Sequence, residues 1–321
     1  MATGTRPVMV AVRDIDASSH RLIAKAAALA TQRRTALHVV HTIGLPDTPL
    51  SSAMKGVRAA ARAELDDRRK RLLKLARSAG VKGVRTVASV TWDYPVADAI
   101  VRLVLRHRPQ LLMVESHRHG RFARMLLSNT DWELIRQCPC PLWLSKTATF
   151  PANGTIIAAV DPYHVHAKPA GLDDIIVRHA LAAARDDAAR VVAVHVQFMP
   201  PQGTVEAFPM TLSEDERAAM NADARKKLSR LASRHRLPQE NLVARQGDPV
   251  LQLPRLVAQR RAALLAMGAV SRSRLQRMFI GNTAERVLDR VNCDVLVLKP
   301  RGFESTVPRR EPSTGWRRAH A

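Results

Sequence analysis

Shifted by 153 residues against itself, the chain lays Leu111–Lys146 on Leu264–Lys299 without a gap, and nine of the 36 aligned pairs are identical. Leu111-Leu112 falls on Leu264-Leu265. Arg121, Arg124 and Met125 fall on Arg274, Arg277 and Met278, Asn129-Thr130 on Asn282-Thr283, and Cys140 on Cys293. A period this long marks the duplication of a whole domain rather than a solenoid unit. The 321 residues therefore divide into a first repeat, 1–150, and a second, 151–300. The remainder, 301–321, is a basic, aperiodic stretch of Pro, Ser, Gly and Arg that reads as a disordered tail.

Each repeat alternates short apolar runs with helical patterns. In the first, residues 8–12, 36–42, 84–90, 111–115 and 141–145 are apolar enough for strands buried on both faces, with helices over 20–33 and 54–79 among those between them. In the second, 155–160, 190–196, 241–245, 263–267 and 294–298 repeat the order. Five strands alternating with four helices predict an α/β class, two tandem Rossmann-like, doubly wound repeats with five-stranded parallel sheets. Ligands of such sheets bind beyond the carboxyl ends of the strands.

No apolar run approaches the roughly 20 residues that span a bilayer, and the first residues lack a signal-peptide layout, so the expected location is cytoplasmic. Cys138, Cys140 and Cys293 match no common zinc spacing and are expected to be buried packing residues. Net charge is +23: 25 bases against 11 acids in 1–150, 21 against 15 in 151–300, and 5 against 2 after that. Such a field attracts phosphate-rich partners, nucleic acid among them, but 41 of the 51 bases are Arg, which compositional bias alone also supplies.

The passage after the fourth strand carries the candidate site. Asn282-Thr283-Ala284-Glu285 has a capping-box layout at a helix start, and Thr130-Asp131-Trp132-Glu133 has it in the first copy. In the second copy the preceding loop runs from Gly268 to Gly281. Helix starts after glycine-bounded loops suit phosphate. These residues resemble the universal stress protein family, whose nucleotide-binding members carry G-2x-G-9x-G-(S/T) at this place. They resemble one branch more closely, its tandem E type, on the strings 130–143 and 279–300. On that resemblance Gly268 and Gly281 match the first and third glycines, Ser271 replaces the second and Asn282 replaces the Ser/Thr. Asp161 matches an acidic position near adenine.

The resemblance implies a nucleotide site at Asp161, Gly268, Ser271, Arg272, Gly281, Asn282 and Thr283, taking ATP or AMP, with Mg. Arg274 and Arg277 add charge or bulk to the same loop, and another small or lipid-like ligand stays open. It also implies a stress-resistance role exercised by binding rather than catalysis, with at most a slow ATPase activity. The repeats are expected to pack as an intramolecular pseudo-dimer through 141–145 and 294–298, and a homodimer is open. In the first copy the three glycine positions hold Glu115, Arg118 and Ser128, and the strand-one position holds Arg13, followed by Asp14. A carboxylate 4 Å from a phosphate charge repels it by about 1 kcal/mol in water and about 4 kcal/mol at an effective dielectric of 20. The first repeat is therefore expected to be a structural partner without a nucleotide site.

Other features read as structure. His117, Arg118, His119 and Arg121 form a solvated basic loop, His164 and His166 surface positions, and His41 and His195 packed or hydrogen-bonded groups at matching strand-two ends. Trp92, Trp132 and Trp143 are expected in the core. No Walker loop is present, no catalytic triad can be assembled, and Gly247-Asp248-Pro249 is a turn. Twelve aromatic residues (six Phe, two Tyr, four Trp) are too few for a dedicated single-strand surface.

Overall fold

The computed structural model describes residues 6–44, 55–79, 83–116, 127–147, 154–163, 171–184, 190–199, 213–269 and 281–309. It divides into two compact units. The first comprises 1–117, 127–149 and 303–321, the second 118–126 and 150–302.

In the first unit the strands are β1 (Val8–Val12), β2 (Leu37–Ile43), β3 (Thr86–Trp92), β4 (Leu111–Glu115) and β5 (Leu142–Ser145). The helices are α1 (His20–Gln32), α2 (Lys55–Ala79), α3 (Val96–His107) and α4 (Asn129–Gln137). The strand order is β3-β2-β1-β4-β5, every pair parallel, with Val8 opposite Leu37 on one side and Leu111 on the other. The second unit repeats this with β6 (Thr155–Ala159), β7 (Val191–Gln197), β8 (Leu242–Gln246), β9 (Ala262–Gly268) and β10 (Asp294–Leu298). Its helices are α5 (Leu172–Ala183), α6 (Glu214–His235), α7 (Pro249–Gln259) and α8 (Asn282–Leu288). Its order, β8-β7-β6-β9-β10, is the same order, and again wholly parallel.

The central strands form the cores. Val8, Met9, Val10, Leu111, Leu112 and Met113 are sealed in the first, and Ile156, Ile157, Leu264 and Leu265 in the second. The edge strands β3 and β8 are mostly half-buried rather than buried on both faces, because a strand at the sheet's end lacks a neighbour on one side. β3 also begins two residues later than its apolar run suggested. Trp143 is fully buried, whereas Trp92, at the end of β3, and Trp132, on α4, are only half-buried.

Three local expectations need correction. The cap of α4 is Ser128, not Thr130. The Asp131 amide donates to Ser128 Oγ (3.2 Å) and the Ser128 amide to Asp131 Oδ2 (2.8 Å), a reciprocal box of the expected spacing that begins two residues earlier. Glu133 instead accepts from Arg136 Nη1 at 2.9 Å. The cap of α8 is the equivalent residue, Gly281, whose carbonyl accepts from the amides of Ala284 (2.8 Å) and Glu285 (3.2 Å); glycine caps a helix at little loss. The stretch after 300 is not uniformly structureless either. Gln137 Oε1 accepts from the Thr306 amide (3.1 Å) and hydroxyl (3.0 Å), and Val307 is buried, so 303–309 is tied to the first unit at the foot of α4.

Candidate functional site

In the second unit β6 and β9 are neighbours, yet the chain leaves β6 for β7 on one side and reaches β9 only after β8. The loops beyond β6 and β9 thus diverge at a switch point, and a crevice opens beyond the strand ends. A cavity of about 670 Å³ lies there, within the usual size of small-molecule sites. Asp161, Gly268, Gly281 and Thr283, from three separate segments, all line it. Asn282 is the first residue of α8. Ser271, Arg272, Arg274 and Arg277 lie outside the described residues, as do Arg118, His119, Arg121, His164 and His166.

Asp161 is fixed from both sides of its peptide. Its amide donates to Asp173 Oδ1 (3.1 Å), and its Oδ1 accepts from the Tyr163 amide (3.3 Å). His195, buried at the end of β7, donates from Nδ1 to the Val160 carbonyl (3.2 Å), a bond that fixes its tautomer, and the same nitrogen lies 3.9 Å from Asp161 Oδ1. The expectation of a hydrogen-bonded histidine at this strand end therefore holds. It holds too for His41, whose Nδ1 donates to the Val12 carbonyl at 3.2 Å.

Sequence reasoning missed the aromatic wall beside Asp161. The Tyr163 ring lies 5.2 Å from the His195 ring, tilted by 37°, and Lys227 Nζ sits 3.5 Å from its centroid on α6. The Tyr163 hydroxyl donates to Asp223 Oδ2 at 2.7 Å, and Asp223 also pairs with Lys227 at 3.2 Å. Partial burial, then the bond to Asp223, pushes the Tyr163 phenol up to about 12, so it remains a neutral donor at physiological pH. The signal was present, two residues after Asp161, but a single aromatic in a loop has no periodicity to mark it. Arg286, on α8, also lines the cavity and brings the positive charge that the described part of the loop otherwise lacks. The remaining wall is largely apolar, with Val160, Val194, Phe198, Leu253 and Met267.

Gly268 faces α5 rather than the cavity with its missing side chain. A Cβ there would lie 2.8 Å from Leu172 Cδ2. Its absence lets α5 approach the end of β9 while the Gly268 backbone borders the cavity. Gly247 holds φ +125°, a conformation that favours glycine, and its amide donates to the Gln197 carbonyl (2.9 Å), while Asp248 Oδ1 caps α7 through the Val250 amide (2.9 Å).

The first unit fills the corresponding places with side chains. Glu115 ends β4 where Gly268 ends β9. Where Gly247 turns in the second unit, the first has Asp93, buried and paired in a fork with Arg102 (Nη2–Oδ1 2.7 Å, Nε–Oδ2 2.9 Å). Arg68 Nη1 lies 3.4 Å from His41 Nε2. Cys138 and Cys293 are buried, Cys140 half-buried, and all three are free thiols. Cys138 and Cys140 sit 3.5 Å apart, and the Cys140 thiol is pushed up by its hydrogen bond with Cys138 and by burial, the opposite of an activated cysteine. No described helix is long and apolar enough to cross a membrane.

The model of the universal stress protein family matches this chain twice, over residues 4–146 and 169–299. Universal stress protein E of Escherichia coli strain K12 is 29% identical over 241 residues, 70% of this chain and 72% of that one. The protein of the same name from Photorhabdus laumondii is 25% identical over 236 residues, with the same coverage. Among solved structures, a protein of unknown function from Pseudomonas aeruginosa PAO1 superposes with a TM-score of 0.66 at 22% identity, covering 92% of this chain and 93% of its own. A universal stress protein from Archaeoglobus fulgidus gives 0.63 at 13% identity, over 91% and 98%. Both share the fold of the whole tandem chain.

Proposed function

The chain belongs to the universal stress protein family, and from that premise we propose that its second repeat binds an adenine nucleotide, ATP or AMP, and acts by binding rather than by catalysis. One observation carries the reading: the cavity at the switch point gathers Asp161, Gly268, Gly281 and Thr283. The Asp161 carboxylate suits an amino donor such as that of adenine. The backbone at Gly268 and Gly281, the Thr283 hydroxyl and Arg286 suit phosphate and ribose oxygens. Ser271, Arg272 and Asn282 complete the phosphate side in this proposal. A Mg ion accompanying ATP would supply charge neutralisation for the phosphates and would be held by them, since no group of three or more metal-ligating side chains lies among the described residues. The first repeat, with Glu115 and the Asp93–Arg102 pair in the matching places, serves as a structural partner. Stress resistance and a cytoplasmic location belong to the same proposal.

The apolar wall, with Phe198 60% exposed, favours as a second reading a ligand with a hydrocarbon body. Calorimetric titration of Mg-ATP, then AMP, into the full chain decides the first. The full chain is required because 303–309 packs on the first unit. Saturation near one site per chain, weakened at least about tenfold by Asp161→Leu, is expected. No heat with either nucleotide overturns the reading, and native mass spectrometry of the purified chain then tests for a co-purifying lipid.

A further inference from the structure

The first unit keeps its described carboxylates away from the end where its strands begin, while bases occur at both ends, Arg13 and Lys146 beyond the strand ends among them. Its described carboxylates follow a strand's carboxyl end (Asp14, Asp16, Asp93), end a strand (Glu115), or lie in the first turns or middle of a helix (Glu64, Asp66, Asp67, Asp98, Asp131, Glu133). The opposite end, where the strands begin, carries Arg6 before β1, Arg33 and Arg34 before β2, Arg85 before β3, and Arg106 and Arg108 before β4. Hydrogen bonds tie this end together. Thr35 Oγ1 and Gln110 Nε2 both donate to the Arg6 carbonyl (2.8 and 2.9 Å), Arg33 Nη1 donates to Gln110 Oε1 (3.4 Å), and the Leu37 amide donates to the Arg85 carbonyl (3.0 Å). All of these arginines except Arg33 are exposed, and Arg33 Nε and Nη2 are buried without a hydrogen-bond partner among the described residues. The acidic residue this unit carries toward that end is Glu304, beside Gln137, in a segment that also brings Arg309.

Helix dipoles explain part of this. In any doubly wound sheet the helix C-termini gather at the strand-start end, where each favours a cation by about 0.3–1 kcal/mol. The second unit has the same fold and dipoles, and its strand-start end also carries bases, Arg190, Arg260 and Arg261 among them. It balances them with Glu240, Asp289 and Asp294. The dipoles favour cations and disfavour acids in both units alike, so they do not account for the lack of acids in the first unit alone. Compositional bias toward Arg does not separate charges by position either.

We propose that the strand-start end of the first repeat is a binding surface for the phosphate backbone of a nucleic-acid duplex, read without regard to sequence. Four adjacent strands at about 4.8 Å spacing place the row across about 15 Å. Along B-DNA that length presents about nine phosphate charges at one per ~1.7 Å of axis. No Phe, Tyr or Trp lies among the described residues that carry the row, so bases have nothing to stack on and the sugar–phosphate backbone of a duplex is the matching partner. The surface belongs to the first unit and the ligand crevice to the second. It goes beyond the nucleotide reading and stands without it.

The test is fluorescence anisotropy of the full chain with a labelled mixed-sequence 25-base-pair DNA duplex across a salt series. With about five arginines engaged, log K against log salt is expected to fall with a slope of about −4 to −5. The variant Arg6→Glu/Arg85→Glu/Arg106→Glu spares Arg34 and Arg108, whose left-handed backbones (φ +48° and +46°) make substitution a folding risk. It is expected to lose about 30-fold or more in affinity and to flatten the slope by about 3. A control of equal charge change in the second repeat, Arg255→Glu/Arg260→Glu/Arg290→Glu, is expected to lose less than about threefold, with circular dichroism verifying that both variants fold. No binding at 50 mM salt overturns the proposal, and so does a control that weakens binding as much as the test variant. Anionic phosphatidylglycerol vesicles that displace the duplex and lose the protein on the same three substitutions also overturn it, by making this end a membrane surface.

Discussion

Gly268→Ala tests why the second repeat keeps a glycine at its switch point. The added methyl would lie 2.8 Å from Leu172 Cδ2, 3.4 Å from Leu172 Cγ and 3.6 Å from Ile176 Cδ1, whereas carbon atoms pack best at about 3.5–4.0 Å. Leu172 is fully buried, so it yields only by leaving its rotamer or shifting α5, and overpacking of this kind costs about 1–3 kcal/mol. The clash is with the far end of one side chain, which places the expected loss in the lower half, about 1–2 kcal/mol. Leu172→Ala alone opens a cavity and costs about 2–5 kcal/mol. In the double variant the methyl occupies part of that cavity, so the pair is expected to cost about 1–2 kcal/mol less than the sum of the singles. Urea unfolding followed by circular dichroism and fluorescence separates the units. Trp92, Trp132 and Trp143 fall in the first unit and no Trp lies in 150–302, so a transition seen by circular dichroism alone belongs to the second. A Gly268→Ala variant within about 0.5 kcal/mol of wild type, or singles that simply add, refutes the packing argument. Mg-ATP titration of the double variant then asks whether the glycine also serves backbone access.

Three further outcomes are expected. His38, buried and bonded to Ser89, is held down to about 4 by burial first and by His107 second. The unfolded chain therefore binds the extra proton below about 6.5, and urea unfolding should show stability falling from pH 7 to 4.5 by roughly 2.5 kcal/mol that His38→Gln removes. Tyr163, pushed up to about 12, keeps its proton in the fold where the unfolded phenol loses it, so its share of stability is intact below pH 10 and lost as pH rises through 12. Wild type minus Tyr163→Phe in ultraviolet difference titration should show a phenolate appearing near pH 12, and an appearance near pH 10 refutes the Asp223 contact. Arg102→Met strands the buried Asp93 charge and should cost about 3–5 kcal/mol in the fluorescence-detected transition, while Asp93→Leu/Arg102→Met should recover most of it.

Much of the fold is legible because its signals are strong. All ten strands sit within two residues of the apolar runs that announce them, since strands buried between helices must be apolar throughout. Edge burial is not legible, because β3 and β8 have the letters of a buried strand but only one neighbour. Helix caps slip for a similar reason, by two residues at α4 and by one at α8. Both Ser128 and Thr130 satisfy a polar-cap pattern, and only the geometry of the preceding turn selects Ser128. At the site, Gly268 and Gly281 could be read as the bounds of a loop between a strand and a helix start, while Asp161 and Thr283 were placed there by the family resemblance. The Tyr163–Asp223–Lys227 cluster could not, because it joins a loop to a helix 60 residues away through side chains with no shared pattern.

The two repeats differ in how their loops are satisfied more than in what their sheets are. In the first, Ser128 and Asp131 cap each other, Asp93 grips Arg102, and Arg68 approaches His41, so polar groups at the strand ends find partners inside the unit. In the second, Gly281 replaces the serine cap and Gly247 the buried aspartate, leaving backbone where the first has side chains. This openness costs little. A serine cap exchanged for glycine loses only a few tenths of a kcal/mol, and a buried ion pair is often no more stabilising than the uncharged residues that replace it. A duplicated domain can thus shed or keep a ligand crevice with the core nearly untouched. On the proposed reading, Ser128 at the helix start of the first copy and Gly281 at that of the second mark which copy kept it.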